Sequence, residues 1–200
     1  MNKELSKAER TRQFIIETTA GIFNTKGYAG TALSDLTQAT GLTKGSIYGN
    51  FDSKEEVALA CFDYNLAKIN RVVQQRMQQV SSFHDKLSVY AQFYHSFTQA
   101  AFPKGGCPIL NTAIEADDTN NLLKDKASKA VLNWKKNIIE LIRAGVEAGE
   151  FKKDVAAEQT ALSIIALIEG GLMIARVTNN PASLDKVLKT VEMLIRQLKA

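Results

Sequence analysis

The chain has 200 residues, of which 45% are hydrophobic and 23% charged, with three prolines and a formal net charge of +4. This balance predicts a globular protein with a real hydrophobic core and excludes a disordered or collagen-like chain. Residues 1–55 carry seven Lys or Arg against six Asp or Glu, so the positive excess is not concentrated there. Bulk charge therefore permits nucleic-acid binding without arguing for it.

The composition also bears on location and on metal binding. The N-terminal residues MNKELSKAERTR lack the apolar stretch of a signal peptide. The most apolar segment, residues 161–177, is interrupted by Glu169, Arg176 and two glycines, and we expect it to be too short to span a bilayer comfortably. We therefore expect a cytoplasmic protein. The two cysteines and two histidines are not spaced as metal ligands or as a disulfide framework, so we predict no metal and no cofactor.

Apolar residues recur at helical spacing along the whole chain, which predicts an all-α fold. The predicted helices cover residues 7–25, a short segment after Thr31 that holds Leu33 and Leu36, a third segment from Thr43 to Tyr48, and residues 54–79, 83–102, 109–115, 121–148, 154–178 and 183–199. Gly27 is predicted to end the first helix, and Thr31 and Thr43 to cap the second and third. A Ser-Lys-Glu-Glu run at residues 53–56 has the capping-box pattern for the fourth.

Two short helices joined by a glycine-containing turn and packed on a longer helix describe a helix-turn-helix. Residues 23–56 read FNTKGYAGTALSDLTQATGLTKGSIYGNFDSKEE. This stretch strongly resembles the DNA-binding signature of the TetR family. The matching elements are Phe23, Gly27-Tyr28, Thr31, Ala39, Gly41-Leu42, Gly45, Ile47-Tyr48, Phe51 and Ser53-Lys54-Glu55.

The resemblance implies a two-part, all-α chain. Residues 1–55 would form a three-helix helix-turn-helix domain, and residues 56–200 a larger helical domain for ligand binding and dimerisation. The family's members act as homodimers on palindromic operator DNA and are released by a small-molecule inducer. Repression is the family's default, although activation stays open because the same domain serves both.

A recognition helix meets the major groove through its N-terminal residues, which should be small or polar. Lys44 can donate to guanine O6 and N7, and Gly45 lets the backbone come close to the bases. Nearby hydroxyl, amide and ammonium groups can reach phosphates. The predicted DNA-binding residues are Thr31, Thr43, Lys44, Gly45, Ser46, Tyr48, Asn50 and Lys54. The resemblance places Tyr48 and Lys54 on the DNA backbone; alternatively, Tyr48 is a packing residue and Lys44 a solvated lysine.

The last two helices are predicted to form the dimer interface. The helix at residues 154–178 is apolar nearly all round, so every side of it must be covered, and a partner subunit is one cover. The resemblance implies a four-helix interface at the same place. The predicted interface residues are Leu162, Ile165, Leu172, Val187, Val191, Leu194, Ile195 and Leu198. The alternative is a core within one chain.

The middle helices are rich in aromatic residues, which by themselves more often form a core than a binding site. A few polar groups among them could orient a ligand in an apolar cavity, and the resemblance places an inducer pocket here. The predicted pocket residues are Phe62, Leu66, Tyr90, Phe93, Tyr94, Phe97, Cys107, Leu110, Trp134, Asn137, Ile138, Glu169 and Met173. Their apolar character suggests a hydrophobic or amphipathic inducer.

Cys107 precedes a predicted helix, where a thiol pKa can be lowered, so thiol sensing is one hypothesis. A small buried cysteine is the favoured alternative. The acidic residues Glu115, Asp117 and Asp118 are predicted to be a solvated helix end.

Two other classes of protein were weighed. An enzyme is not expected, because the chain has no nucleophile–base arrangement, no phosphate-binding glycine loop and no metal constellation. A helical adaptor that has lost DNA contact would be expected to have replaced Lys44, Tyr48 or Lys54, and all three are present.

Overall fold

A computed structural model describes residues 6–97 and 102–200. Within these ranges the chain forms nine α-helices and one isolated β-bridge between Phe151 and Lys199, which confirms the all-α prediction. The helices are α1 Lys7–Lys26, α2 Leu33–Thr40, α3 Lys44–Tyr48, α4 Lys54–Met77, α5 Phe83–His95, α6 Pro108–Ala116, α7 Asn121–Glu147, α8 Ala157–Val177 and α9 Pro181–Gln197.

The contacts divide the chain into two compact units. Unit 1 contains residues 6–68 together with Pro103–Ala127, and unit 2 contains the described residues of Ile69–Phe102 together with Ser128–Ala200. This division by contacts breaks α4 after Lys68 and adds residues 103–127 to unit 1, while the domain boundary at residue 55 stays a prediction. Residues 103–127 belong to unit 1 because α6 and the loop before it pack against α1, although these segments are 80 or more positions apart in the sequence.

Unit 1 is built around a core that α1, α2, α3 and the first half of α4 share. Its fully buried side chains include Ile15, Leu36, Ile47, Val57 and Cys61. Two glycines allow the short helices to end where they do. Gly27 (φ 74°) ends α1, as predicted, and Gly41 (φ 68°, ψ 7°), in the glycine-containing turn, adopts the left-handed conformation that ends α2.

In unit 2, α9 packs against both α5 and α8. The buried side chains of α8 and α9 are mainly aliphatic: Ala161, Ile164, Ile165, Ile168, Leu172, Ala175, Leu184, Leu188, Val191 and Ile195. Close approach of the two helices depends on Gly171, since a Cβ there would lie 3.0 Å from Leu184 Cδ1 and 3.1 Å from Val187 Cβ. The two helices thus bury much of their apolar surface against each other.

Some helix ends differ from the prediction. α5 ends at His95 rather than at residue 102, and residues 98–101 lie outside the described residues. α9 begins at Pro181, two residues earlier than predicted, because proline is well suited to the first turn of a helix.

Helix α8 is the part of the described chain that is long and apolar enough, by length and composition alone, to cross a membrane. Its 21 residues make it longer than the predicted apolar segment, so the expectation that it is too short was wrong. Core helices of soluble proteins meet the same criterion, and α8 buries one side against α9.

Candidate DNA-binding site

Helix α3, which follows α2 in the helix-turn-helix, has an exposed first turn and a buried side chain beneath it. Thr43 caps α3, its hydroxyl accepting the Ser46 N–H at 3.1 Å, as predicted. Ile47 is fully buried and anchors the five-residue helix in the core. Lys44 and Gly45 are exposed, and a Cβ at Gly45 would meet only Thr43 Oγ1, at 3.9 Å. The turn that the sequence assigned to base reading is therefore open to solvent.

The other predicted DNA-binding residues differ in exposure. Ser46, Tyr48 and Asn50 are half-buried, and Thr43 is exposed. The Lys44 ammonium lies 6.0 Å from the centroid of the Tyr48 ring, so the two side chains share one side of α3. The Asn50 amide donates to the Ser46 carbonyl at 2.8 Å, which extends the helical hydrogen bonding past Tyr48.

Thr31 does not have the role that the sequence suggested. It is 1% exposed, and its hydroxyl donates to the Gly27 carbonyl at 2.6 Å instead of capping α2. The N-cap residue is Ala32, whose N–H is accepted by the Asp35 carboxylate at 2.9 Å. The prediction of a capping Thr31 was wrong, and its buried, occupied hydroxyl does not support a phosphate contact either.

Lys54 contacts the turn between α1 and α2. Its ammonium donates to the carbonyls of Tyr28 (2.8 Å) and Thr31 (2.9 Å) and lies 4.2 Å from the centroid of the Tyr28 ring. An ammonium has three N–H groups, so one N–H remains for a phosphate when the other two make these bonds. Lys54 thus has a structural role that the sequence analysis did not foresee. Burial, with a smaller contribution from Glu55, raises the pKa of Tyr28, so its phenol is neutral.

Arg12 of α1 is a second residue whose role the sequence analysis missed. Its guanidinium donates to the Asn50 carbonyl and to Glu56 Oε1 (2.6 Å), and it stacks 3.9 Å above the Phe51 ring. Ser53 Oγ accepts the Glu56 N–H at 3.1 Å, as the predicted capping box requires, while Glu56 Oε2 accepts the Asp52 N–H at 2.6 Å. That backbone bond, followed by the Arg12 bond, lowers the pKa of the Glu56 carboxyl. Together these bonds fix the segment between α3 and α4.

Glu115 of α6 is not part of a solvated helix end, as the sequence analysis expected. Its two carboxylate oxygens accept the N–H groups of Tyr28 (2.9 Å) and Ala29 (2.8 Å). The neighbouring Asp117 and Asp118 are exposed, in agreement with the prediction. No local sequence signal pairs Glu115 with residues 86 and 87 positions away.

The residues predicted to line a ligand pocket are divided between the units. In unit 1, Phe62 and Cys107 are buried and Leu66 and Leu110 are half-buried. A small cleft in unit 1 includes Phe62, with Phe23, Asn65, Pro108, Thr112 and Leu123 among its other lining residues.

In unit 2, most of the predicted residues form an aromatic cluster. Tyr94 stacks on Trp134, with centroids 5.9 Å apart and planes 7° apart, and Tyr90 lies 6.0 Å from the same ring. Phe93, Tyr94 and the half-buried Phe97 each contact the ring of Phe102. Ile138 and Glu169 are also buried. Burial raises the pKa of Tyr90 to about 12, so its hydroxyl is neutral.

Two predicted pocket residues do not join this cluster. Asn137 is exposed on α7, and Met173 is 50% exposed on α8. One position along a helix turns a side chain by about 100°, which carries Asn137 away from the buried Ile138 and Met173 away from the buried Leu172, so neither lies in the buried cluster.

Trp134 carries an unusual polar atom. The residue is 8% exposed, and its indole Nε1–H has no hydrogen-bond partner among residues 6–97 and 102–200. Leaving such a buried donor unpaired costs about 1–3 kcal/mol. A tryptophan N–H inside an aromatic cluster is thus available to an acceptor from outside the protein.

Most residues predicted for a dimer interface are buried within the single chain. Ile165, Leu172, Val191, Ile195 and Leu198 are buried within the single chain, which favours the intrachain alternative for these five residues. Val187 and Leu194 are half-buried, and Leu162 is exposed. Leu162 belongs to an apolar stripe of α8 that faces solvent and is otherwise made of residues outside the predicted set: Ala166, Met173, Ile174 and Val177.

Both cysteines are buried, which for Cys107 favours the alternative of a small buried side chain. Cys107 is 1% exposed at the N-cap of α6. A sensing thiol has to be accessible to its oxidant or electrophile, so this burial argues against the thiol-sensing hypothesis. Cys61 bonds with the Thr19 hydroxyl at 3.3 Å, and burial raises the pKa of its thiol to about 12. In the described ranges, no group of three His, Cys, Asp or Glu side chains could hold a metal ion.

Comparisons with protein families match both parts of the chain. Residues 15–61 match "Bacterial regulatory proteins, tetR family", and residues 84–191, more than half of the chain, match "Tetracyclin repressor-like, C-terminal domain". The first match contains α2, α3 and the turn between them. It ends before α6, so the family's N-terminal segment does not include Glu115.

Similar proteins agree with these matches over nearly the full length. A TetR-family transcriptional regulator from Cytophaga hutchinsonii is 50% identical, with 99% of each chain covered and a TM-score of 0.96. A TetR transcriptional regulator from Chloroflexus aurantiacus is 37% identical, with 98% of each chain covered and a TM-score of 0.91. The HTH-type transcriptional repressor DhaR of Mycobacterium sp. (strain GP1) is 25% identical over 90% of this chain and 89% of its own.

These matches are to transcriptional regulators, which confirms the prediction that the chain is not an enzyme. They also confirm the resemblance drawn from residues 23–56. The chain belongs to the TetR family of helix-turn-helix transcriptional regulators.

Proposed function

We propose that the protein is a ligand-responsive repressor that binds a palindromic operator as a homodimer and is released by a small hydrophobic or amphipathic inducer. The observation that carries this proposal is the exposed, Thr43-capped N-terminal turn of α3, supported from below by the buried Ile47. Such a turn can enter the major groove with Lys44 and Gly45 first. Repression is supported by the similarity to DhaR, which is described as a repressor.

Operator binding requires both phosphate and base contacts. Lys44 is the candidate for base reading, because a lysine can donate to guanine O6 and N7. Tyr48, Thr43 and Ser46 offer hydroxyl groups to the phosphates on either side. In a dimer, two such turns about 34 Å apart would meet successive major grooves on one face of the DNA.

Homodimerisation is supported by the exposed apolar stripe of α8. Leu162, Ala166, Met173 and Val177 follow one another at spacings of four, seven and four residues, so they share one face of the helix. A Cβ at Gly170, between them, would have nothing within 4 Å, which leaves room for a partner helix to approach closely. A contiguous apolar surface of this kind favours a symmetric contact with a second copy.

Inducer binding is supported by the aromatic cluster of unit 2. Its flat apolar rings suit a hydrophobic molecule, and the unpaired Trp134 N–H suits one that carries a hydrogen-bond acceptor. An inducer acts if it binds more tightly to a conformation that cannot hold the operator than to one that can. A soluble cytoplasmic location, where operator and inducer meet, is part of the same proposal.

Operator binding is tested by mobility shift on DNA from upstream of the protein's own gene, across a salt series. We expect Tyr48→Ala and Lys44→Gln to weaken binding, and Lys44→Gln to lower the salt slope by about one if Lys44 contacts a phosphate. Lys68→Gln is the matched control, because Lys68 is an exposed lysine of unit 1 outside the helix-turn-helix. Equal binding of all four proteins to operator and random DNA would contradict the proposal. A reporter gene under the same DNA separates repression from activation.

Inducer chemistry is tested with the fluorescence of Trp134, the single tryptophan of the chain. Acetophenone and ethylbenzene are probes of similar size, and only acetophenone has a carbonyl acceptor. We expect acetophenone to bind more tightly and to change the emission of Trp134. Calorimetry on Trp134→Phe should then show equal affinities, and a preference that survives this substitution would exclude the indole as the donor.

A further inference from the structure

We infer that Glu115 of α6 is a positioning residue for DNA binding, and that α6 with its preceding loop is an integral part of the DNA-binding unit. The inference rests on the operator binding proposed above. It goes beyond the family's N-terminal segment, since that match ends at residue 61.

The Glu115 carboxylate accepts two backbone hydrogen bonds. Glu115 Oε2 accepts the Tyr28 N–H at 2.9 Å, and Oε1 accepts the Ala29 N–H at 2.8 Å. Both donors lie in the turn between α1 and α2, where no helix provides partners for them. Bonds from N–H groups to an ionised carboxylate are stronger than bonds between neutral groups. Glu115 therefore binds the Tyr28 and Ala29 N–H groups of the turn with one side chain.

The turn is shaped to receive this side chain. A Cβ at Gly27 would lie 2.5 Å from Glu115 Oε2 and 2.7 Å from its carboxyl carbon. Gly27 also has a φ of 74° and a ψ of 177°, a combination that is nearly restricted to glycine. Both the space and the backbone conformation at this position therefore depend on a residue without a side chain.

Lys54 binds the backbone carbonyls of the same turn, as Glu115 binds its N–H groups. The ammonium takes the Tyr28 and Thr31 carbonyls, while Glu115 takes the Tyr28 and Ala29 N–H groups. α2 begins at Leu33, two residues after Thr31, and the segment that contains Gly41 connects α2 to α3. The position of the turn consequently sets where the helix-turn-helix begins.

α6 is itself anchored to α1 by paired amides. The Asn111 amide donates to the Asn24 carbonyl (2.9 Å) and to the Gly105 carbonyl (2.8 Å). The Asn24 amide donates to the carbonyls of Lys104 and Gly106, both at 2.8 Å. These bonds join the end of α1 to the loop before α6. A displacement of α6 along α1 would withdraw Glu115 from the turn.

The test compares Glu115→Gln with Asp118→Asn. Glutamine keeps the size of the side chain but sets an NH2 group against one of the two backbone N–H groups. Asp118 is exposed just beyond the same helix, so its substitution removes an equal charge without touching the turn. We expect Glu115→Gln to weaken operator binding by about tenfold, and Asp118→Asn to leave it within about twofold.

Hydrogen exchange without DNA provides the second readout. In Glu115→Gln we expect the Tyr28 and Ala29 amides to exchange at least about tenfold faster, with the amides of α8 and α9 unchanged. Unchanged exchange at these two amides would overturn the inference even if the wild type binds no operator. Faster exchange with unaltered operator affinity would overturn it as well. If the wild type itself does not bind, the proposed function fails, and the exchange result still decides whether Glu115 holds the turn.

Discussion

Replacing Gly27 with alanine should destabilise unit 1 far more than the same change at Gly41. Both glycines end a helix with positive φ, 74° and 68°. A Cβ at Gly41 would have no atom of the described residues within 4 Å, whereas a Cβ at Gly27 would overlap the Glu115 carboxylate. The pair therefore separates the cost of the backbone conformation from the cost of displacing Glu115.

The expected magnitudes follow from these geometries. For Gly41→Ala the left-handed conformation costs about 1–2 kcal/mol. For Gly27→Ala the backbone costs about 1–3 kcal/mol. Displacing Glu115 adds about 2 kcal/mol, because two bonds to a charged group are lost at a half-buried site. We expect a total of about 3–5 kcal/mol for Gly27→Ala. In a Glu115→Ala background only the backbone cost should remain, which gives a coupling free energy of about 2 kcal/mol.

The chain provides a separate probe for each unit. Cys61 and Cys107 are buried in unit 1, and the single Trp134 lies in unit 2. Pulsed thiol labelling across a urea gradient therefore measures the unfolding of unit 1, and tryptophan fluorescence measures that of unit 2. The reasoning is refuted if Gly27→Ala costs no more than Gly41→Ala, or if its cost is the same with and without the Glu115 side chain.

Three further predictions concern other parts of the molecule. Thr43→Ala removes the cap of α3 and should destabilise unit 1 by about 1 kcal/mol, whereas Thr43→Gly should cost only a few tenths. If both variants lose operator binding equally, relative to the wild type in mobility shifts, the hydroxyl acts on DNA rather than on the helix. Val177→Glu should shift sedimentation toward the monomer, while Ile114→Glu should not, although their exposures are similar at 79% and 72%; a monomeric Ile114→Glu, or a dimeric Val177→Glu, would contradict the proposed interface. Because the pKa of the Cys61 thiol is raised to about 12 in the folded chain, the unfolded chain releases this proton first as pH rises. Its contribution to stability is thus complete below about pH 8.5 and declines above it, and Cys61→Ala should flatten the alkaline part of a urea-denaturation profile.

Local sequence patterns were sufficient for the helices and for much of the DNA-binding turn. The Thr43 cap and the glycines at positions 27 and 41 act through backbone groups within a few residues, so their roles can be read from neighbouring positions. Helical periodicity likewise predicts an apolar stripe on α9, and the composition of α8 predicts a helix that is apolar nearly all round. It does not determine which apolar positions face a neighbouring helix of the same chain and which face solvent.

The tertiary structure decided the contacts between distant residues. Arg12 bonds to Glu56 across 44 positions, Lys54 to Tyr28 across 26, and Glu115 to Tyr28 across 87. It also moved Thr31 from a capping role to a buried bond, and turned Met173 and Val177 to the surface while Leu172 entered the core. A charged side chain in a sequence carries no record of its partner, because the partner is chosen by how the helices pack. The amino-acid sequence by itself therefore determined the helices and the family, and packing determined which side chains hold the segments before and after the helix-turn-helix in place.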